Sequence, residues 1–150
     1  TGLTHDERGY PRTESAEAQT KLVQRLCNKI RKNKERIVRV ENTLLEDAEV
    51  AVVAYGIAAR AALSAVRKAR AKGIKAGLLR PVTLWPFPED QVALVARRVK
   101  AIVVPEMNCG QMVREVERAA KSTPVKFLSK LGEEPHRPDE ILEAIEGVQK

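Results

Sequence analysis

Residues 49–58 read EVAVVAYGIA, and this stretch decides the fold. Val50 to Ala54 form a short apolar run that is rich in β-branched residues, which is typical of a strand buried on both faces. Gly56 ends the run, and an alanine-rich helical pattern follows it directly. A strand, a tight glycine turn and a helix make up the first part of a βαβ unit. We therefore predict that this strand lies at the centre of a mostly parallel sheet.

The other strands of the predicted sheet are apolar runs in the rest of the chain. Three runs lie between helical patterns, at 74–79, 100–105 and 125–129, and a weaker run at 38–45 predicts an edge strand. Right-handed crossovers that cover both faces of the sheet give the order edge strand, 74–79, 49–54, 100–105, 125–129. The expected fold is a three-layer α/β/α domain with a five-stranded sheet.

The N-terminal part of the chain differs from this pattern. The chain does not begin with methionine, and residues 1–14 are polar and loop-like, so we expect a linker from a preceding domain of a longer chain. Residues 15–150 are expected to form one α/β domain. A helix is predicted over 15–36, capped by Ser15 and docking on the sheet or a neighbouring domain through a stripe of Leu22, Leu26 and Ile30.

Composition limits the function classes. The net charge is +7, and the excess positive charge lies at 21–39 and 60–100. A basic helix can bind nucleic acid or a membrane surface, but this one contains no aromatic residue, so a solvated helix that packs by its stripe is favoured. No apolar stretch approaches the length of a membrane span. Cys27 and Cys109 lie far apart, as expected for reduced thiols in a cytoplasmic protein.

Several familiar catalytic and cofactor motifs are absent from the sequence. The turn YGIAAR after the central strand has one glycine, so neither the dinucleotide fingerprint nor the phosphate loop is present. No GxSxG motif occurs. The two histidines, His5 and His136, lie in predicted loops and leave little for a metal site. We therefore predict no catalytic, cofactor-binding or metal-ligating residue in this chain.

Two regions are candidates for an interface. The proline-rich loop at 81–88 carries Trp85 and Phe87, which either form a docking surface or fold back over the end of the sheet.

The second candidate is the crevice at the carboxyl ends of strands 49–54 and 100–105, where open α/β sheets place their sites. Its predicted interface residues are Gly56, Glu106, Asn108 and Gln111, and Asn108 is the expected N-cap of the next helix. The alternative role for Glu106 is a charge beside the positive end of that helix.

Two stretches of the sequence resemble a known protein family. They are EVAVVAYGIAARAALSAVRKARAKGIKAGLLRPVTLWPFPEDQV at 49–92 and VVPEMNCGQMVREVERAA at 103–120. Together they resemble the second domain of the alpha subunit of 2-oxoacid:ferredoxin oxidoreductases, with 2-oxoglutarate:ferredoxin oxidoreductase as the nearest branch. The segments LLRPVTLWPFP and PEMNCGQ are the specific ones. Ile57 departs from the small polar residue that is usual in the family, and Arg137 departs from an expected threonine.

The resemblance implies a fold like the C-terminal domain of transketolases, with one antiparallel edge strand. It implies an enzyme that decarboxylates a 2-oxoacid on thiamine diphosphate, passes electrons through 4Fe-4S clusters to ferredoxin and forms an acyl-CoA. In the family, other domains hold these cofactors, so this chain is expected to be a structural and interface domain. Its implied partners are the other domains of the subunit and the beta subunit, with gamma and delta subunits as further candidates.

Two alternatives stay open at this point. One is a basic nucleic-acid-binding module, and the other is an independent small-molecule-binding α/β domain that uses the Gly56 and Glu106 crevice. Under the favoured interpretation the partners include neither nucleic acid nor membrane.

Overall fold

The structure, a computed structural model, describes residues 2–149. It divides into two compact units, residues 1–37 and residues 38–150. The predicted domain boundary between residues 14 and 15 stays a prediction.

The second unit is built on one five-stranded sheet. Its strands are β1 (Val40–Thr43), β2 (Val50–Val53), β3 (Ala76–Pro81), β4 (Ala101–Glu106) and β5 (Val125–Ser129). The order across the sheet is β1-β3-β2-β4-β5, as predicted. β1 pairs antiparallel with β3, with Val40 opposite Pro81, while the other pairs are parallel. The mostly parallel sheet with one antiparallel edge strand is therefore confirmed.

Helices cover both faces of the sheet. They are α3 (Gly56–Ala71), α4 (Glu89–Ala96), α5 (Val113–Ala120) and α6 (Pro138–Gln149). The apolar side chains of α3 and α6 pack with Val50, Val52 and Val103 on one face. Those of α4 and α5 pack with Ala51 and Val53 on the other. Because successive β2 residues point to opposite faces and all are buried, β2 is the centre of a three-layer fold.

Arg70 of α3 binds the turn that precedes β2. Its guanidinium donates to both carboxylate oxygens of Asp47, at 2.7 and 2.9 Å. It also donates to the backbone carbonyls of Leu44 and Ala76, at 2.7 and 2.6 Å. A guanidinium carries enough donors to bind all of these acceptors at once, so Arg70 fastens the turn that precedes β2.

The first unit contains α1 (Ala16–Arg31) and α2 (Lys34–Ile37). Ser15 caps α1 as predicted, because its Oγ accepts the N–H of Ala18 at 3.2 Å. The predicted single helix over 15–36 is wrong, since it breaks at Asn33. There the backbone N–H bonds to Ile30 and the side-chain amide donates to the Lys29 carbonyl at 2.8 Å. These bonds replace the regular helical pattern and end α1.

No residue of α1 is buried. Leu26 is 53% exposed and Ile30 is 40% exposed. The predicted docking of the stripe on the sheet or on a neighbouring domain stays a prediction. Among the described residues, no helix has the length and apolar content that a membrane span requires.

Candidate functional site

The site lies where the chain reverses its direction across the sheet. From β2 the chain crosses to β3 on one side, and from β3 it crosses back to β4 on the other. The carboxyl ends of β2 and β4 therefore form a topological switch point, where open α/β sheets leave a crevice. The structure brings three polar side chains together here, those of Tyr55, Glu106 and Asn108.

Glu106 is the central residue of the crevice, and it is only 1% exposed. It is the last residue of β4, and its carboxylate reaches the start of α5. Its Oε1 accepts the backbone N–H of Val113 at 2.6 Å, and its Oε2 accepts that of Met112 at 2.9 Å. Oε2 also accepts the hydroxyl of Tyr55 at 3.2 Å. These contacts satisfy a buried charge, which would otherwise be costly.

Asn108 does not cap α5, so this prediction is wrong. Its Oδ1 accepts the N–H groups of Gly110 and Gln111, at 2.8 and 3.0 Å, and so closes a turn ahead of the helix. Its amide donates to the Tyr55 hydroxyl at 3.1 Å. The helix begins later, at Val113, because the Glu106 carboxylate already binds the N–H groups at that point. Asn108 therefore orients Tyr55 rather than the helix.

Tyr55 connects the two strands of the switch point. Its hydroxyl donates to Glu106 and accepts from Asn108, so both roles of the group are used. Burial, and next the negative charge of Glu106, raise the pKa of Tyr55 above its ordinary value of 10.0. The phenol therefore stays protonated and keeps its donor role at neutral pH.

Two other predicted residues lie at the rim of the crevice. Gly56 is exposed and has φ +54°, a left-handed conformation that side chains rarely adopt. Gln111 is also exposed. Ile57 follows Gly56 and is 51% exposed, so the rim carries an apolar side chain where the family usually has a polar one. The rim is therefore accessible, while the base of the crevice is closed by Glu106.

The crevice does not suit an anionic ligand. Helix N-termini bind phosphate through free backbone N–H groups, but here the carboxylate of Glu106 occupies two of them. A diphosphate would meet that negative charge and find no glycine-rich turn to approach. The residues of the crevice therefore do not fit the diphosphate of thiamine diphosphate or of coenzyme A.

The described residues offer few side chains that could bind a metal ion or an iron–sulfur cluster. Cys27 and Cys109 are both free thiols, while a 4Fe-4S cluster is held by four cysteines. Within residues 2–149, no group of three or more His, Cys, Asp or Glu side chains is placed to hold a metal ion.

The backbone carbonyl of Glu106 accepts hydrogen bonds from a second set of polar residues, which the sequence analysis did not identify. His136 is 4% exposed, and its Nε2 donates to the backbone carbonyl of Glu106 at 3.2 Å. The N–H of Lys130 donates to the same carbonyl at 2.9 Å. The Lys130 ammonium binds both oxygens of Glu140, at 2.9 and 3.0 Å. The sequence places His136 in a loop 30 positions after Glu106, and only the folded chain brings the two residues together.

The predicted docking loop separates its two aromatic residues. Phe87 is 4% exposed and packs in the core beside Val92 and Val113. Trp85 is 73% exposed. The two alternatives for this loop therefore apply to different residues: Phe87 folds back, and Trp85 remains available to a partner.

The first unit contains a separate groove of about 1080 Å³. Its lining includes four acidic side chains and four Lys or Arg side chains, so its charge is balanced. His5 lies there and donates from Nδ1 to the Leu3 carbonyl at 2.9 Å, while Arg25 approaches its Nε2 at 3.3 Å. These contacts account for His5 without a ligand.

The fold and the switch point can now be compared with known proteins. A family profile described as pyruvate:ferredoxin oxidoreductase core domain II matches residues 48–141. The chain belongs to this family. The match starts just before β2 and extends into α6, so it includes the whole switch point.

Curated relatives agree with this assignment. The 2-oxoglutarate synthase subunit KorA of Methanothermobacter marburgensis is 45% identical over 150 residues, which are 99% of this chain and 40% of that protein. The KorA subunit of Methanocaldococcus jannaschii is 49% identical over 148 residues, which are 98% of this chain and 39% of that protein. The ketoisovalerate oxidoreductase subunit VorB of Methanothermobacter thermautotrophicus is 40% identical over 123 residues, or 82% of this chain and 35% of that protein. The chain thus spans about 40% of the length of the KorA relatives.

Solved structures show the same fold. The 2-oxoglutarate:ferredoxin oxidoreductase from Magnetococcus marinus, solved with 2-oxoglutarate, coenzyme A and succinyl-CoA, matches with a TM-score of 0.86 and 24% identity over 100% of this chain and 26% of that one. A split-gene transketolase matches with a TM-score of 0.61 and 21% identity over 73% of this chain and 41% of that one. The transketolase-like architecture that the resemblance implies is therefore confirmed.

Proposed function

We propose that this chain is domain II of the alpha subunit of a 2-oxoglutarate:ferredoxin oxidoreductase. The whole enzyme would decarboxylate 2-oxoglutarate oxidatively, transfer the acyl group to coenzyme A and pass the electrons to ferredoxin. The observation that carries this proposal is the 45% identity with a 2-oxoglutarate synthase subunit over 99% of the chain. The ketoisovalerate relative is 40% identical over 82% of the chain, which favours 2-oxoglutarate as the substrate.

Within that enzyme, we propose a structural and interface role for domain II. The buried carboxylate at the switch point, Glu106, is only 1% exposed and already accepts three hydrogen bonds, from Met112, Val113 and Tyr55. A general acid or base must be able to reach a substrate proton. We therefore assign no catalytic residue to this chain.

The cofactors of the enzyme would lie outside this chain. Thiamine diphosphate, coenzyme A and the 4Fe-4S clusters are assigned to other parts of the complex. Two observations support this assignment. The Glu106 carboxylate already accepts a backbone N–H at the start of α5, and the two cysteines, Cys27 and Cys109, are too few to hold a cluster. We place the enzyme in the cytoplasm, where such thiols stay reduced.

The proposed partners are the other domains of the alpha subunit and the beta subunit, with gamma and delta subunits as further candidates. Two surfaces would meet them. One is the loop tip at Trp85, and the other is the rim of the crevice, formed by Gly56, Asn108 and Gln111. Phe87 and Glu106 would support these surfaces from beneath, since both are buried.

The substrate proposal is tested on the full-length alpha subunit expressed together with its partner subunits. The assay measures reduction of ferredoxin that depends on both coenzyme A and a 2-oxoacid. We expect kcat/KM for 2-oxoglutarate to exceed that for 2-oxoisovalerate by at least tenfold, about 1.4 kcal/mol in transition-state binding. A preference for 2-oxoisovalerate, or activity that does not need coenzyme A, would overturn the proposal.

The proposal that this chain holds no cofactor has its own test. Calorimetric titration of residues 1–150 with thiamine diphosphate and with coenzyme A should give no micromolar binding. Binding that a substitution at Gly56 or Asn108 abolishes would make the crevice a cofactor site instead.

A further inference from the structure

The segment between β5 and α6, residues 130–137, is attached to the rest of the second unit at both of its ends, and we call it the strap. At its start, the backbone N–H of Lys130 donates to the backbone carbonyl of Glu106 at 2.9 Å. At its end, His136 Nε2 donates to the same carbonyl at 3.2 Å, and the His136 side chain is only 1% exposed. Both ends of the strap therefore bind the same carbonyl oxygen, on the last residue of β4.

A carboxylate of α6 binds the same two ends of the strap. The Lys130 ammonium donates to both oxygens of Glu140, at 2.9 and 3.0 Å. The backbone N–H of Arg137 donates to Glu140 Oε2 at 2.9 Å, and His136 Nδ1 lies 3.8 Å from that oxygen. The side chains of Lys130 and Glu140 are 21% and 28% exposed, so water screens this ion pair less than a fully exposed one. The strap is thus closed through two residues, Glu106 and Glu140.

The side chain of Glu106 binds the crevice, whereas its backbone binds the strap. The carboxylate accepts two backbone N–H groups at the start of α5 and the hydroxyl of Tyr55. A second link lies directly before the strap, because the Ser129 hydroxyl donates to the backbone carbonyl of Asn108 at 2.8 Å. The strap and the crevice therefore share Glu106 as a common hydrogen-bonding partner.

Glu106 lies where the regular pairing of the sheet ends. It is the last residue of β4, and its partner in the register, Ser129, is the last residue of β5. The ends of an element open more readily than its centre, because fewer contacts hold them. The hydrogen bonds from Lys130 and His136 are made at this end of the strand. We therefore expect the position of the Glu106 carboxylate to depend on the strap as well as on the sheet.

We propose that the strap and the crevice form one conformational device, in which the ordered strap holds Glu106 and thereby fixes Tyr55, Asn108 and the start of α5. Release of the strap loosens all of these groups together. His136 is then a positioning residue, because it acts on the crevice through Glu106. The inference concerns the second unit itself and does not depend on the substrate of the enzyme.

The alternative is that each contact stabilises only its own surroundings. The pairing of β4 with β5 would then hold Glu106 alone, and the strap could open without any effect on the crevice. Residues that belong to one hydrogen-bond network usually show coupled effects, whereas residues that share no partner act additively. Tyr55 and His136 share Glu106 as a partner, which favours coupling.

The test is hydrogen–deuterium exchange of the full-length alpha subunit, measured by mass spectrometry with fragmentation to single residues. His136→Met removes the ring N–H and leaves an unbranched apolar side chain. We expect the backbone N–H groups of Met112 and Val113 to exchange about fivefold faster or more, the factor that corresponds to the loss of one hydrogen bond. His136→Gln retains a side-chain N–H donor and should restore most of the protection.

A matched control destabilises α6 without removing a hydrogen bond to Glu106. Ile145 is fully buried on α6, and Ile145→Val deletes one methylene group from the core. This variant should accelerate exchange throughout the second unit and leave the ratio of the exchange rates of Val113 and Val66 of α3 unchanged. In His136→Met the same ratio should rise by about fivefold, because the start of α5 loosens locally.

Tyr55→Phe tests the coupling from the crevice side. It removes only the hydroxyl that Glu106 accepts, and phenylalanine fills the same space, so the protein stays folded. Coupling between two sites is reciprocal, so the backbone N–H of Lys130 should exchange at least about twofold faster in this variant. This measurement decides the question even where His136→Met does not fold.

Three results contradict the inference. The first is faster exchange in His136→Met that is confined to residues 130–137. The second is a ratio of the Val113 and Val66 rates that is the same in His136→Met and in Ile145→Val. The third is unchanged exchange at Lys130 in Tyr55→Phe. Each would mean that Glu106 is held by the sheet alone and that the strap and the crevice are independent.

Discussion

The carboxylate of Glu106 accepts the backbone N–H of Val113 at 2.6 Å, so the last residue of β4 caps the first residue of α5. The crevice at the switch point thus contains its own anion. In this fold the amino end of such a helix is often a binding site for the phosphate of a ligand. Here the Glu106 carboxylate binds these donors, so they stabilise the domain itself.

Replacing this carboxylate should destabilise the domain. Glu106→Gln removes the charge that two backbone N–H groups face, and its amide would place N–H groups against them. We expect the free energy of unfolding to fall by about 1.5–3 kcal/mol, the usual range for hydrogen bonds to a charged group. Urea denaturation measures the change. Glu117→Gln, at an exposed position of α5, is the control and should change it by less than about 0.5 kcal/mol. An equal effect of both variants would contradict this role of Glu106.

Gly77 of β3 should tolerate no side chain. A Cβ atom at this position would lie 2.5 Å from the Leu44 carbonyl oxygen and 2.7 Å from Leu45 Cδ2. The Leu44 carbonyl cannot move away freely, because Arg70 donates to it at 2.7 Å. Gly77→Ala should therefore cost about 1–3 kcal/mol or more.

The control for Gly77 is another glycine within a regular element. A Cβ atom at Gly147 of α6 meets nothing within 4 Å. Gly147→Ala should be neutral or stabilise the protein by up to about 1 kcal/mol, since alanine has the higher helix propensity. Thermal unfolding of both variants gives the comparison. A neutral Gly77→Ala would mean that the turn at Leu44 adapts.

The sequence predicts the fold well because each strand carries a local signal. The buried run at Val50–Val53, the glycine after it and the alanine face of α3 determine the βαβ unit. Right-handed crossovers then determine the strand order without further information. The sequence predicts the ends of helices less well. The side chain of Asn33 ends α1 by a hydrogen bond to the Lys29 carbonyl, and the spacing of apolar residues gives no sign of such a bond.

The site is predicted less well because its contacts join residues that lie far apart in the chain. The Tyr55 hydroxyl meets Glu106 and Asn108, which follow it by 51 and 53 positions. Asn108 has the residue type and position of a helix cap, yet Glu106 takes that role from within the strand. A carboxylate at a strand end, a few residues before a helix, is a signal for such a cap. It is equally consistent with a ligand site, and only geometry separates the two.

Glu140 should make stability depend on pH in acid. The hydrogen bond from Lys130, followed by that from the backbone N–H of Arg137, lowers the pKa of Glu140 from 4.5 to about 2. The folded protein therefore releases this proton more readily than the unfolded chain does. Its contribution to stability is complete above pH 4.5 and is lost as the pH falls towards 2.

The variant Glu140→Gln tests this dependence. At pH 7 it should have a lower urea midpoint than the wild type, and the difference should vanish as the pH approaches 2. Glu143→Gln, an exposed residue of the same helix, should show no such convergence. A difference for Glu140→Gln that stays constant from pH 7 to pH 2 would exclude the pair with Lys130 as its cause.

Trp85 should become protected when the enzyme assembles. Its side chain is 73% exposed. Large aromatic side chains are enriched among the residues that contribute most to binding at protein interfaces. Hydroxyl-radical footprinting with mass spectrometry reads this residue separately from the other tryptophans of the complex. We expect its oxidation rate to fall several-fold between the isolated chain and the assembled enzyme. In the isolated chain, Trp85→Ala should cost less than about 0.5 kcal/mol, because few contacts are lost at an exposed position. Equal oxidation rates in both states, or a large loss of stability in Trp85→Ala, would mean that the loop only covers its own domain.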